Sequence, residues 1–126
     1  MTAMPPKVSE MHGVRVLECD ANEKQLRNYN DAVELIGNAF EKRASVILVP
    51  AECLDDEFFR LSTRIAGELI QKIVQYRLRL VIVGDISRHL AESSALRAFV
   101  LESNRGKDVW FLATREELDE RLAPAV

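Results

Sequence analysis

With 126 residues, 48% of them apolar and 29% charged, the chain has the size and composition of a single globular domain with a real core. A net charge of -3 argues against a general nucleic-acid binder, which would be basic. No run approaches the ~20 apolar residues of a membrane span.

Residues Met1 to Pro6 read as a loose tail, so the ordered core is expected over about residues 8–122. Met1 to Gly13 has no apolar stretch of an export signal. Cys19 and Cys53 belong to no spaced Cys or His set. They are therefore expected as reduced thiols of a cytoplasmic protein. Lys7 to Met11 reads as an edge strand, His12-Gly13 as a tight turn and Val14 to Cys19 as a second strand, together a hairpin. Asp20 to Tyr29 is polar and reads as a loop. Asp31 with Glu34 resembles a capping box and opens a helix to about Lys42, with Val33, Ile36, Gly37 and Phe40 as its apolar face. Ser45 to Val49 is an apolar, β-branched run stopped by Pro50, which predicts a buried strand.

Leu54 to Asp85 is the unit on which the rest packs. Phe58, Leu61, Ile65, Leu69 and Val74 recur at helical steps, with Ile70 and Ile73 widening the stripe, so one helix is predicted from an Asp55 N-cap to about Arg77. Asp56 and Glu57 suit its first turn, and Lys72 and Arg77 its other end. Arg60, Arg64, Glu68 and Gln71 would form one polar stripe, with Arg60–Arg64 repulsive and Arg64–Glu68 attractive. Thr63 and Gly67 are small and four apart, which predicts a close neighbour, because a mid-helix glycine costs about 1 kcal/mol relative to alanine. Leu78 to Val83 then reads as a buried strand ending at Gly84-Asp85.

Ile86 to Glu92 is irregular or a short helical turn. Ser93 or Ser94 caps the next helix, which buries Leu96, Phe99 and Val100 and ends at Gly106 in a left-handed turn. Val109 to Leu112 is a last strand, with Trp110 in the core rather than a stacking platform. Thr114 and Glu117 form a capping box for a short helix ending before Pro124. The order ββαβαβαβα predicts an α/β fold: a mainly parallel four- to five-stranded sheet behind an N-terminal hairpin. The two central strands are apolar on both sides, so both faces need cover, from helices, the N-terminal segment or another subunit.

The stretches FFRLSTRIAGELIQKIVQYRLRLVIVGD (Phe58 to Asp85) and FVLESNRG (Phe99 to Gly106) resemble the bacterial family called domain of unknown function 4180. The element order also resembles STAS domains, the anti-sigma-factor antagonist fold, in which each strand–helix pair is one turn of a right-handed superhelix. The STAS likeness implies regulation through protein–protein contacts, sometimes with nucleotide binding. Antagonists of that class carry a phosphorylatable serine at the start of the helix matching the central one. Here Asp55, Asp56 and Glu57 stand at that place, and a carboxylate there would mimic the phosphorylated state.

Sites in parallel sheets form beyond the carboxyl ends of the strands. That end should carry Glu52, Asp55, Asp56 and Asp85, joined by Arg88, His89 and Thr114. The set suits a divalent cation or a cationic partner, although capping and turn roles account for most of these acids. Asp85 and His89 could pair as base and orienter, but no serine or cysteine stands at a nucleophile elbow. No GxGxxG or P-loop occurs. The opposite end should gather Gln71, Lys72, Glu102, Asn104 and Arg105. The expected ligand- or partner-binding residues are therefore Glu52, Arg64, Glu68, Gln71, Lys72, Asp85, Glu102, Asn104 and Arg105. No catalytic residue, metal or cofactor is expected. The expected partner is a protein, another copy included, and neither nucleic acid nor membrane. A small metabolite- or metal-binding protein or enzyme with an acidic pocket is the alternative.

Overall fold

The computed structural model describes residues 7–60 and 64–124. It is an α/β fold built on a five-stranded sheet in the order β1-β2-β3-β4-β5. Strands β1 (Lys7–Met11) and β2 (Val14–Glu18) are antiparallel, and β3 (Val46–Pro50), β4 (Arg79–Val83) and β5 (Val109–Leu112) continue parallel to β2. Met11 lies opposite Val14, and the two loop residues, His12 (φ 53°) and Gly13 (φ 82°), are both left-handed. That is a type I′ turn, whose twist matches the strands it joins. Helices α1 (Tyr29–Lys42), α2 (Ile65–Gln75), α3 (Ser87–Glu92), α4 (Ser94–Arg105) and α5 (Arg115–Leu122) complete the described residues. None is long and apolar enough to cross a membrane.

The strands alternate with period two between two buried clusters. Leu17, Ile47, Val49, Leu80, Ile82, Val109 and Phe111 face the cluster that holds the buried residues of α1, α2 and α4. Val16, Val46, Leu48, Val81, Trp110 and Leu112 face the other cluster, closed by Leu118 of α5. The expected cover on both faces is thus supplied by this chain's own helices.

The central segment is not one helix. Two 3-10 turns, Ala51–Cys53 and Asp56–Phe59, precede α2, which begins only at Ile65. Arg64 is left-handed (φ 63°), a conformation that no right-handed helix can contain. Asp55 makes no side-chain cap, and Arg60–Arg64 is not a helical pair. Phe58 and Phe59 are both buried within the second turn. The predicted positions Leu61 and Thr63, like the tail Met1 to Pro6, lie outside the described residues. Among the described residues a Cβ on Gly67 would meet nothing within 4 Å, so none of them is the expected close neighbour at that glycine.

Helix α1 starts two residues before Asp31. Asn28 is its N-cap and accepts from the Asp31 amide at 3.0 Å. The Asp31 carboxylate instead turns back to accept from the amide, Nε and NH2 of Arg27 at 2.9, 2.8 and 3.2 Å. These bonds hold the buried Asp31 carboxyl below its ordinary pKa, the Arg27 side chain first. The buried face is Ala32, Leu35, Ile36 and Ala39, whereas Val33 and Phe40 are exposed. The two alanines let the helix sit low on the sheet and turn the bulkier pair outward. In α4, Ser93 caps the Leu96 amide at 3.1 Å. Gly106 is extended (φ -91°), not left-handed, so that expected C-terminal turn is corrected. In α5, Thr114 Oγ1 accepts from the Glu117 amide at 3.2 Å, while Glu117 accepts from Ala113, one residue earlier than a capping box requires.

Candidate functional site

The carboxyl ends of β3 and β4 open into a cleft of about 600 Å³, lined among others by Lys24, Glu52, Asp56, Phe59, Asp85, Arg88 and His89. Its floor depends on glycine. Gly84 has φ 144°, and a Cβ there would stand 2.9 Å from the Ala51 Cβ, so β3 and β4 can leave the sheet this close together only without a side chain at 84. Asp85 accepts from the Ser87 amide at 2.9 Å, and hydrogen bonding from the Ser87 side chain first, then from this amide, keeps its carboxyl below the usual range. The bond from that amide fixes Asp85 in the turn ahead of α3, and among the described residues it makes no pair with His89. The His89 ring stacks on Phe59, centroids 4.1 Å apart and planes 14° from parallel, with Nε2 3.8 Å from Asp56. Asp56 bonds Arg88 at 2.8 Å, and Lys24 lies 3.1 Å from Asp55. The cleft is consequently of mixed charge rather than acidic. Among the described residues no group of three or more His, Cys, Asp or Glu side chains is placed to hold a metal ion.

The remaining candidate residues do not converge. Glu52 and Asp85 share the cleft, but Thr114 caps α5 instead. Arg64 and Glu68 are exposed at the start of α2. Gln71 and Glu102 line a shallow groove of about 390 Å³ between α2 and α4, with Ile70, Val74 and Phe99. Arg105 is exposed, 3.8 Å from Glu102. Asn104 holds strand β5 in place. Its side-chain amide donates to the Phe111 carbonyl at 3.1 Å and accepts from the Phe111 amide at 2.7 Å. It thus occupies the hydrogen bonds of this edge strand where a sixth strand would pair.

Lys72 lies on the other side of α2, away from Gln71's groove. Its ammonium stands 5.3 Å from the Tyr29 ring centroid and 5.4 Å from that of Tyr76. Tyr76 meets Phe40 edge to face at 5.7 Å. With Val33 these side chains form an exposed aromatic face across α1 and α2. Sequence reasoning missed Tyr29, which reads as loop, and Tyr76, and it placed Val33 and Phe40 inside. Lys24 and Phe59 join the expected Asp56, Arg88 and His89 only through the tertiary fold and leave no local signal.

A sheet with a leading hairpin, stepwise parallel order and a cleft at its carboxyl edge defines an α/β chain of β–α repeats. The chain belongs to the family described as Domain of unknown function (DUF4180), whose model matches residues 11–122. No curated protein and no solved structure matches it.

Proposed function

We propose that the chain is a cytoplasmic binding module of STAS-like architecture that acts through protein–protein contacts, without catalysis, and that the α1–α2 face is its contact surface. The observation that carries this reading is the joint exposure of Tyr29, Val33, Phe40 and Tyr76 around Lys72. Clustered aromatic side chains that a monomer leaves in water are what interface cores are made of. The stepwise strand order, with α1, α2 and α4 against one face, supports the STAS-like part. Two buried, unpaired thiols support the cytoplasmic placement. Burial pushes Cys19 up to about 12 and Cys53 up to about 11, so neither is a reactive thiolate at neutral pH. Neither nucleic acid nor membrane belongs to this reading.

Affinity capture with the intact chain and with a Phe40→Ser/Tyr76→Ser double variant tests it. The double variant should lose the bound protein while keeping its circular dichroism. Capture that is indifferent to both changes would remove this face from the reading. A second reading, a small-ligand or metal site using Glu52 and Asp85, is favoured by the stacked Phe59–His89 pair in the cleft. A thermal-shift screen with divalent metals and nucleotides decides it, and no shift above noise removes it.

A further inference from the structure

At the amino ends of the strands, opposite the carboxyl-edge cleft, lies a second pocket of about 370 Å³. Three cationic side chains line it from three places in the chain: Arg77 from the turn after α2, Arg79 from the first position of β4, and Lys107 from the turn before β5. Among the described residues none of the three has a carboxylate within ion-pair distance, and neither does Arg121, which shares the Trp110 ring with Arg79. With 20 acids against 17 bases the chain is not short of carboxylates, and Lys24, Arg88 and Arg115 at the other end each have one. Arg79 is the costliest of the unpaired set. It is half-buried, its Nε donates to the Lys107 carbonyl, and its guanidinium and that of Arg121 both lie against the Trp110 ring. Burial first, then the like charge of Arg121, hold the Arg79 pKa below its ordinary value, and Asp108 offsets them only in part. An arginine still keeps its charge at neutral pH, so the chain folds around a positive charge that it does not neutralise. Helix dipoles favour Arg77 and Lys107, which follow the carboxyl ends of α2 and α4. They do not ask for Arg79, which stands on a strand.

We propose that this pocket binds a small phosphate dianion, free or as the phosphate group of a small ester, held by Arg77, Arg79 and Lys107. The inference goes beyond both readings above and uses neither of their sites. A dianion answers three converging cations where a single carboxylate does not, and guanidinium forks match phosphate oxygens in pairs. Ser45, exposed on the same wall, offers a neutral hydroxyl donor. Asp108 is the one carboxylate among the lining residues and works against the anion. The volume is at the small end of ligand pockets, which suits a phosphate carrying few further atoms.

Isothermal titration of the full chain with inorganic phosphate, glycerol phosphate and acetate, all at one ionic strength, reads the site. Phosphate and its ester should bind saturably, and acetate about tenfold or more weakly. Equal affinity for the two assigns the free ion, and a tighter ester assigns the ester. Arg77 is left-handed (φ 60°), a backbone that glycine suits better. Arg77→Gly should therefore leave the thermal midpoint of the free chain unchanged or higher, while raising the phosphate Kd about tenfold. Lys107→Gln should raise Kd by a similar factor, and Asp108→Asn should lower it. Phosphate that binds no better than acetate shows charge screening alone and overturns the site, as does a Kd unmoved by these three substitutions. A phosphate Kd that moves instead with Lys24→Gln or Arg88→Gln puts the anion in the carboxyl-edge cleft and equally overturns it.

Discussion

The two faces of the sheet are closed by different means. On the face of α1, α2 and α4, helices bring their own apolar surface: Ala32, Leu35, Ile36 and Ala39 from α1, then Ala66, Leu69, Ile70 and Ile73 from α2, and Leu96 from α4. On the other face, α5 reads REELDERL and contributes only Leu118 and the partly buried Leu122. Polar contacts do the rest. Arg115 grips Glu18 with Nε–Oε1 at 2.8 Å and NH2–Oε2 at 3.0 Å, and Ser9 donates to the same carboxylate at 2.5 Å. His12 stands 3.3 Å from Asp119. At the far edge the guanidiniums of Arg79 and Arg121 lie 4.2 and 4.1 Å from the Trp110 ring centroid. Trp110 is thus both core and stacking platform. A strand pattern states that a face is buried, but it does not state whether oil or ion pairs will bury it.

The comparison predicts unequal responses to similar truncations. Ile73→Ala, at a site with 0% exposure between α2 and the sheet, should cost roughly 3 to 5 kcal/mol and lower the midpoint of the whole denaturant transition. Leu118 is equally buried, and Leu118→Ala should cost roughly 2 to 4 kcal/mol. Its signature should be local: hydrogen exchange should rise in α5 and Trp110 fluorescence should shift before the helical face opens. If both variants unfold all amides together, the faces are one cooperative unit and the contrast is wrong.

Arg115→Ala probes the polar closure. Arg115 is half exposed and Glu18 largely covered, so the loss at neutral pH should be about 1 kcal/mol after solvent screening. The Arg115 hydrogen bond leads the causes that hold the Glu18 pKa below its ordinary value. A carboxyl depressed in the folded state adds stability above its unfolded pKa, about 4.3, and loses it as pH falls through the folded value. The difference between wild type and Arg115→Ala should therefore shrink as pH drops below about 4.3. A difference that stays constant into acid would mean that packing of the arginine stem, not the ion pair, holds α5.

What was legible in the sequence was whatever period and turn chemistry encode locally. The two central strands stood out as β-branched apolar runs, Val109 to Leu112 as a short apolar one, and the two weaker N-terminal strands were marked by the His12-Gly13 turn between them. The break before α2 did not show, because a left-handed arginine at 64 has no signature: the helical spacing of Phe58, Ile65 and Leu69 continues straight through it. The direction α1 faces was misread because Val33 and Phe40 outweigh Ala32 and Ala39 in apolarity, although small side chains decide which face can approach a sheet. For the candidate site, parallel-sheet topology placed Glu52, Asp56, Asp85, Arg88 and His89 at one end, where they line one cleft. It could not place Lys24 or stack Phe59 on His89, since those depend on loops separated by tens of residues.

Gly106 gives the smallest expected effect and the sharpest check on how α4 hands over to the α5 face. A glycine after a helix ordinarily supplies a left-handed residue, and replacing such a glycine with alanine would strain the turn. Here φ is -91°, a backbone open to any residue, and a Cβ would meet only the Ser103 carbonyl oxygen at 3.6 Å, an ordinary contact. The work at this position is done by main-chain atoms: the Gly106 amide donates to Ser103 at 3.0 Å, and its carbonyl accepts from Trp110 Nε1 at 2.8 Å. Alanine preserves both bonds and reduces the freedom of the unfolded chain. Gly106→Ala should therefore change stability by no more than about 0.5 kcal/mol in either direction in chemical denaturation. A loss well beyond that would mean that the turn is left-handed after all, and the hydrogen bond anchoring Trp110 against Arg79 and Arg121 would lose its support with it.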